Sequence, residues 1–297
     1  MSQRYAYYPG CSLEASAVEY DLSTRSVLKA LGVELEEIPD WSCCGASAGH
    51  AVSKSIALAL PARDLAKAES MGRNVLAPCP ACYKNLRYVR ESLSDEEARR
   101  KVERLLEGTG LSLSGSSEVR HLLEVLAGDV GAERIAEAVT VPLEGLKVVT
   151  YYGCYITRPG GMRSFDDPVE PVSMDLLCRA VGAAVLPFTR KTRCCGAPVM
   201  MSAPEEMHRL SYEILQEAKQ RGAEAVVVAC PLCHHALDAA QPEIEKHHGA
   251  LSMPVLYITQ LLGLALGLNP FEELGLDRNV VSTEGIVKRF SKVTCSR

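Results

Sequence analysis

Ten of the twelve cysteines in this 297-residue chain fall into two copies of one five-cysteine pattern. The first copy is Cys11, Cys43, Cys44, Cys79 and Cys82; the second is Cys154, Cys194, Cys195, Cys230 and Cys233. In each, a single cysteine is followed by an adjacent pair and then a C-x-x-C, with 34 residues between Cys44 and Cys79 and again between Cys195 and Cys230. A chain built this way has two related halves, each bringing distant sulfurs to one place. Five thiolates are one more than a tetrahedral zinc or an ordinary cubane needs, which points to a larger iron–sulfur species.

The sequence around the cysteines predicts how each half folds. Arg4 to Tyr8 and Lys147 to Tyr152 read as strands ending at the first cysteine of each copy. A helix stopped by Gly32 or Gly182 and a short strand follow. After each adjacent pair comes a helix, about Ser53 to Met71 and Glu205 to Arg221, then the apolar runs 75–77 and 225–229, which read as buried parallel strands. Val119 to Gly128 resembles Val255 to Gly267. Alternation of this kind predicts an α/β fold of two similar Rossmann-like domains related by internal duplication, with mostly parallel sheets and active residues at the carboxyl ends of strands. The boundary falls near Val141, giving domains 1–140 and 141–297.

The motifs carry their own chemistry. In Cys79-Pro80-Ala81-Cys82 and Cys230-Pro231-Leu232-Cys233, proline holds the first cysteine extended and suits the first helical turn. Both sulfurs then meet a helix N-terminus, whose free N–H groups favour thiolates. Adjacent cysteines in a regular strand point to opposite faces, so Cys43-Cys44 and Cys194-Cys195 need a bent backbone, for which Gly45 and Gly196 provide the freedom.

The remaining composition excludes more than it assigns. A net charge of −5 gives no support to nucleic-acid binding. The N-terminus lacks a signal-peptide core, and the longest apolar run, Leu261 to Leu268, is too short to span a bilayer, so a cytoplasmic protein without membrane insertion is expected. Thiols stay reduced there, which favours metal chemistry over a disulfide framework. With no ferredoxin-type cysteine run and no Gly-rich nucleotide fingerprint, electrons are expected to arrive from another chain.

These residues, with Tyr152-Gly153-Cys154, Arg158-Pro159, Asp166-Asp167-Pro168 and Cys230-Pro231-Leu232-Cys233-His234, resemble nearly end to end the B-type subunit of heterodisulfide reductase, built from two cysteine-rich domains of the CCG type. The resemblance implies that Cys11, Cys43, Cys44, Cys79 and Cys82 hold one non-cubane 4Fe-4S cluster, and Cys154, Cys194, Cys195, Cys230 and Cys233 a second. It also implies that the clusters face each other across the domain interface and that a disulfide of small thiols is split, or formed, between them. The implied partners are a ferredoxin-like iron–sulfur subunit of the C type and a flavin-containing subunit of the A type. Pro80-Ala81 and His235-Ala236 depart from the family's usual residues without removing a ligand. Zinc, an electron relay in an organic-acid dehydrogenase complex and an oxidative, sulfur-metabolising version of the complex stand as alternatives.

Other residues are candidates of lower rank. Arg190, Lys191 and Arg193 precede the second pair where Glu36, Glu37 and Asp40 precede the first, so the second site is expected to be more electropositive and to favour an anionic thiol. Arg158 and Arg193, with Arg163 in the Gly160-Gly161 loop, are candidate substrate grips. His234, next to a ligand cysteine, is the candidate catalytic proton donor, with His235 beside it. Cys178 and Cys295 lie outside both patterns and read as structural or incidental, and the basic tail 287–292 is a candidate docking segment.

Overall fold

The computed structural model describes residues 3–46, 48–158 and 164–291. It contains two four-stranded, all-parallel sheets of the same order. The first is formed by β1 (Gln3–Tyr7), β2 (Val33–Glu37), β3 (Asn74–Ala77) and β4 (Val119–His121), arranged β2-β1-β3-β4. The second repeats this with β5 (Lys147–Tyr151), β6 (Ala184–Val185), β7 (Ala225–Val228) and β8 (Val255–Tyr257), arranged β6-β5-β7-β8. The central strands are buried on both faces, which is why they read as apolar runs and not as alternating ones.

Helices connect the strands: α1 (Val18–Ala30), α2 (Lys54–Ser70), α3 (Pro80–Ser92) and α4 (Glu96–Leu106) in the first half. The second half has α5 (Ser173–Ala180), α6 (Pro204–Gln220) and α7 (Ile258–Ala265), with α8 (Glu284–Phe290) closing the chain. Their ends follow local chemistry. Ser53 accepts the Ile56 N–H at 3.1 Å to start α2, and Asp95 accepts that of Ala98 at 2.9 Å to start α4. Asp166 accepts the N–H groups of Val172 and Ser173, opening α5. The basic tail is folded through Ser291: Val287 and Phe290 are buried, and Arg289 pairs with Glu224 at 3.0 Å. Lys292, the last residue of that tail, and Cys295 lie outside the described residues.

The halves pack reciprocally. α1 of the first lies on α7 of the second, while α5 of the second lies on the helical segment 122–131 of the first. Across the first contact Tyr20 stacks on Tyr257 (centroids 4.0 Å apart, 6° between planes) and Ser23 bonds Thr259 at 2.7 Å. Across the second, Phe165 stacks on His121 at 6.3 Å. Every residue of α7 is buried, and buried aromatic and leucine side chains contribute about 1.5–3 kcal/mol each. The chain thus places two like sheets around one shared apolar seam.

Candidate metal and redox site

Strand order decides where the cysteines meet. In each sheet the chain leaves the first strand for one neighbour, then crosses back to the other side, creating a switch point beside the central strands. Cys11, Cys43-Cys44 and Cys79 follow the carboxyl ends of β1, β2 and β3; Cys154, Cys194-Cys195 and Cys230 follow those of β5, β6 and β7. Each quintet therefore gathers at one sheet's switch point.

The local geometry follows from the motifs. Cys79 (φ −78°, ψ 121°) and Cys230 (φ −143°, ψ 124°) are extended, and Pro80 and Pro231 open the helices behind them. Gly45 (φ +72°) and Gly196 (φ +82°) take the left-handed conformation that bends the chain after each adjacent pair. Their N–H groups donate to the sulfurs of Cys43 (3.4 Å) and Cys194 (3.3 Å). Gly10 and Gly153 serve the opposite wall: a Cβ there would stand 3.0 Å from the Cys82 sulfur and 2.9 Å from that of Cys233.

The Sγ atoms of Cys44 and Cys82 are 3.3 Å apart and those of Cys195 and Cys233 3.8 Å apart. Both are too long for a disulfide and near the ~3.8 Å edge of a tetrahedron of sulfurs around a metal. Among the described residues no group of three or more His, Cys, Asp or Glu is disposed to hold a metal ion as the side chains stand. Hydrogen bonding with Cys43 and Cys82 holds the Cys44 thiol well below its ordinary range, and hydrogen bonding with Cys233 lowers Cys195. Hydrogen bonding to Cys44 raises Cys43 and Cys82, and hydrogen bonding to Cys195 raises Cys233. Burial, then the charges of Cys194, Cys195 and Cys230, pushes Cys154 up to about 11. Such crowded sulfurs share protons when metal-free and shed them to a cation.

Two tyrosines absent from the sequence-based candidates hold the rims. Tyr8 donates to Ser42 O at 2.5 Å and Tyr151 to Arg193 O at 2.6 Å, in each case the carbonyl just before the adjacent cysteines. The repeated Tyr8-Pro9-Gly10-Cys11 and Tyr151-Tyr152-Gly153-Cys154 was the available signal. Behind the first pair, Asp64 is fully buried, accepts the Ser42 N–H at 2.8 Å, and is pushed up to about 7 by burial. The next carbonyls are held by unrelated residues: Asn85 donates to Cys44 O at 3.1 Å and Ser211 to Cys195 O at 3.0 Å.

Both quintets border the domain interface. The helix Pro231–His234 packs against Ser12–Ser16, the short helical segment after Cys11. Reciprocally, Lys84, two residues after Cys82, lies 4.7 Å over the ring of Tyr155, which follows Cys154. Cys11, Cys43 and Cys194 are solvent-exposed, whereas Cys44, Cys79, Cys82, Cys195, Cys230 and Cys233 are buried. Each site thus has a sealed floor and an open edge.

Several expectations change here. His234, expected as a proton donor, is buried and stacked on Tyr257 (4.2 Å, 12°), with its Nε2 3.1 Å from Val255 O. Burial lowers its pKa to about 3, so it is neutral and serves the core; Tyr83 and His121 make the corresponding pair in the first half. The charge asymmetry is mostly consumed by ion pairs. Glu36 pairs with Arg73, Glu37 with Arg25 and Asp40 with Lys67; Arg190 pairs with Glu213, and Lys191 with Asp175. Arg193 remains exposed at the edge of the second site. Arg158 is also exposed, but donates to Thr192 O and supports the loop before Cys194. Arg163 and the Gly160-Gly161 loop lie outside the described residues. Cys178 is buried in α5, its thiol raised by burial.

The cysteine-rich domain family CCG matches the chain twice, over residues 5–87 and 148–238. The chain is 37% identical to the 8-methylmenaquinol:fumarate reductase membrane anchor subunit of Wolinella succinogenes, across 95% of this chain and 98% of that one. It is 33% identical to the B-type subunit of a ferredoxin/F(420)H(2)-dependent CoB-CoM heterodisulfide reductase of Methanosarcina acetivorans, across 94% of each. A protein of Archaeoglobus profundus described as like the heterodisulfide reductase B-type subunit is 31% identical across 96% of this chain and 97% of that one. Among solved structures, a hypothetical protein from Helicobacter pylori superposes with a TM-score of 0.76 at 16% identity, across 95% of this chain and 53% of that one, a likeness of fold. Among the described residues no helix is long and apolar enough to cross a membrane.

Proposed function

Given that this chain belongs to the family of heterodisulfide reductase B-type subunits, with a cysteine-rich CCG domain in each half, we propose that it is the disulfide-cleaving subunit of a heterodisulfide reductase-like complex. The observation that carries this reading is the pairing of two five-cysteine sites at equivalent switch points of two sheets that share one interface. Cys11, Cys43, Cys44, Cys79 and Cys82 would hold one non-cubane 4Fe-4S cluster, and Cys154, Cys194, Cys195, Cys230 and Cys233 the other. When bound, such clusters supply single electrons and an affinity for sulfur. Splitting a disulfide takes two electrons and leaves two thiolates, so two equivalent sites match its stoichiometry.

The chain's own residues supply the rest. The buried cysteines close the floor of each site against water, and Tyr8 or Tyr151 braces its rim. Gly10 and Gly153 leave room beside Cys82 and Cys233 that a methyl group would fill. Arg193 places positive charge at the open edge of the second site, where a departing thiolate is anionic. The protons those thiolates finally take come from solvent, since His234 is neutral and enclosed. Electrons would come from a ferredoxin-like subunit of the C type and a flavin-containing subunit of the A type.

Anaerobically purified protein is expected to contain iron and acid-labile sulfide in equal amounts. Titrating it, reduced, with small disulfides should yield a paramagnetic cluster–thiol signal, which Cys44→Ser and Cys195→Ser each abolish along with turnover. Full activity in either variant refutes the two-site scheme. A second reading is favoured by the 37% identical relative named for a fumarate reductase: an electron relay in an organic-acid oxidoreductase. A relay would be reduced and reoxidised without forming any adduct with a disulfide.

A further inference from the structure

One buried phenol touches both sites. Tyr20, in the first turn of α1, is fully buried, and its hydroxyl oxygen lies 3.4 Å from Pro78 O and 3.3 Å from Ala229 O. Those carbonyls immediately precede Cys79 and Cys230, so a single O–H is shared between the ends of β3 and β7. With one proton and two nearly equidistant acceptors, it makes a long three-centre bond. Packing sets its position: the ring lies flat on Tyr257, Tyr257 lies on His234, and Ser23 bonds Thr259 nearby. After burial, the charges of Cys230 and Cys79 are the main influences on this phenol.

We propose that Tyr20 is a positioning residue that couples the two cysteine sites. It holds the peptides before Cys79 and Cys230 at one separation and sets one dipole between them, so a change at its hydroxyl is felt in both halves at once. The mechanical coupling requires only the fold; its redox consequence rests on the iron–sulfur reading above. A disulfide divided between two centres requires them at a constant spacing, and a tether outside both ligand sets maintains it without altering either.

Tyr20→Phe tests this, because the ring and its stacking survive and only the hydroxyl is lost. Amide hydrogen exchange in residues 79–83 and 230–234 should rise together, by about fivefold for a lost hydrogen bond of ordinary strength. In iron-loaded protein the midpoint potentials of both centres should move to more negative values, since the hydrogen end of the lost dipole faces the strand ends. Tyr257→Phe is the control: among the described residues that hydroxyl has no hydrogen-bond partner, so the variant should leave both turns unchanged. Faster exchange in one turn alone, or in neither, overturns the proposal, as does a potential shift confined to one centre. Protein purified without iron would refute the cluster reading, while the exchange result would still decide the role of Tyr20.

Discussion

At the scale of single residues, the glycines beside the cysteines are the most demanding positions. Gly45 and Gly196 share a left-handed conformation that costs an L-residue about 1–2 kcal/mol. They differ in surroundings: a Cβ at Gly196 would stand 2.6 Å from Met207 Cα, whereas at Gly45 its nearest neighbour is the end of the Leu60 side chain at 3.3 Å. Gly196→Ala should therefore cost more than Gly45→Ala, about 3 kcal/mol or above against about 1–2; denaturant midpoints check the order. Tyr151→Phe removes the hydroxyl that holds Arg193 O and should cost about 1 kcal/mol while lowering metal retention at the second site only. Iron content of the variant in a Cys44→Ser background reads that site alone. The glycines and cysteines were legible in the sequence because their chemistry has few substitutes. His234 misled because sequence adjacency to a ligand says nothing of where an imidazole points, and here the shared seam enclosed it.

At the scale of elements, strands and helices lie within a residue or two of their sequence-based positions, since the apolar runs, glycine stops and C-P-x-C turns are local signals. The helix opened by the second C-P-x-C turn continues over His235–Ala239 in a wide-turn form that has no signal in the sequence, and this segment performs a long-range task. Its Asp238 is buried and accepts the N–H groups of Val280 (2.7 Å) and Val281 (3.2 Å), fastening the chain that leads to α8. Burial pushes this carboxyl up to about 6. A folded-state pKa above the unfolded one means that its contribution is full below about pH 4 and is lost as pH rises through about 6. Wild-type protein should thus lose stability, relative to Asp238→Asn, between about pH 4.5 and 7.5, by on the order of 2 kcal/mol. Paired denaturant titrations at the two pH values measure it; parallel curves would show that Asp238 does not titrate in this window.

At the scale of the whole molecule, the reciprocal packing of α1 on α7 and of α5 on the helical segment 122–131 joins the two halves through one core. On the proposed loading of both quintets, stripping metal from either site should therefore lower the unfolding temperature of the whole chain in a single transition, which calorimetry of Cys44→Ser and Cys195→Ser would record as one shifted peak each. Two separate peaks would mean that the halves unfold independently. The sequence by itself determined the duplication, the parallel α/β architecture, the two sulfur quintets and their bends, because these rest on spacing and on residue types with narrow chemistry. The tertiary structure decided which charges are spent in ion pairs, which histidine is sealed in the core, and that Tyr20 stands between the two sites. Those properties depend on which surfaces the halves present to each other, and contacts between residues as distant as Tyr20 and Ala229 leave no local pattern in the chain.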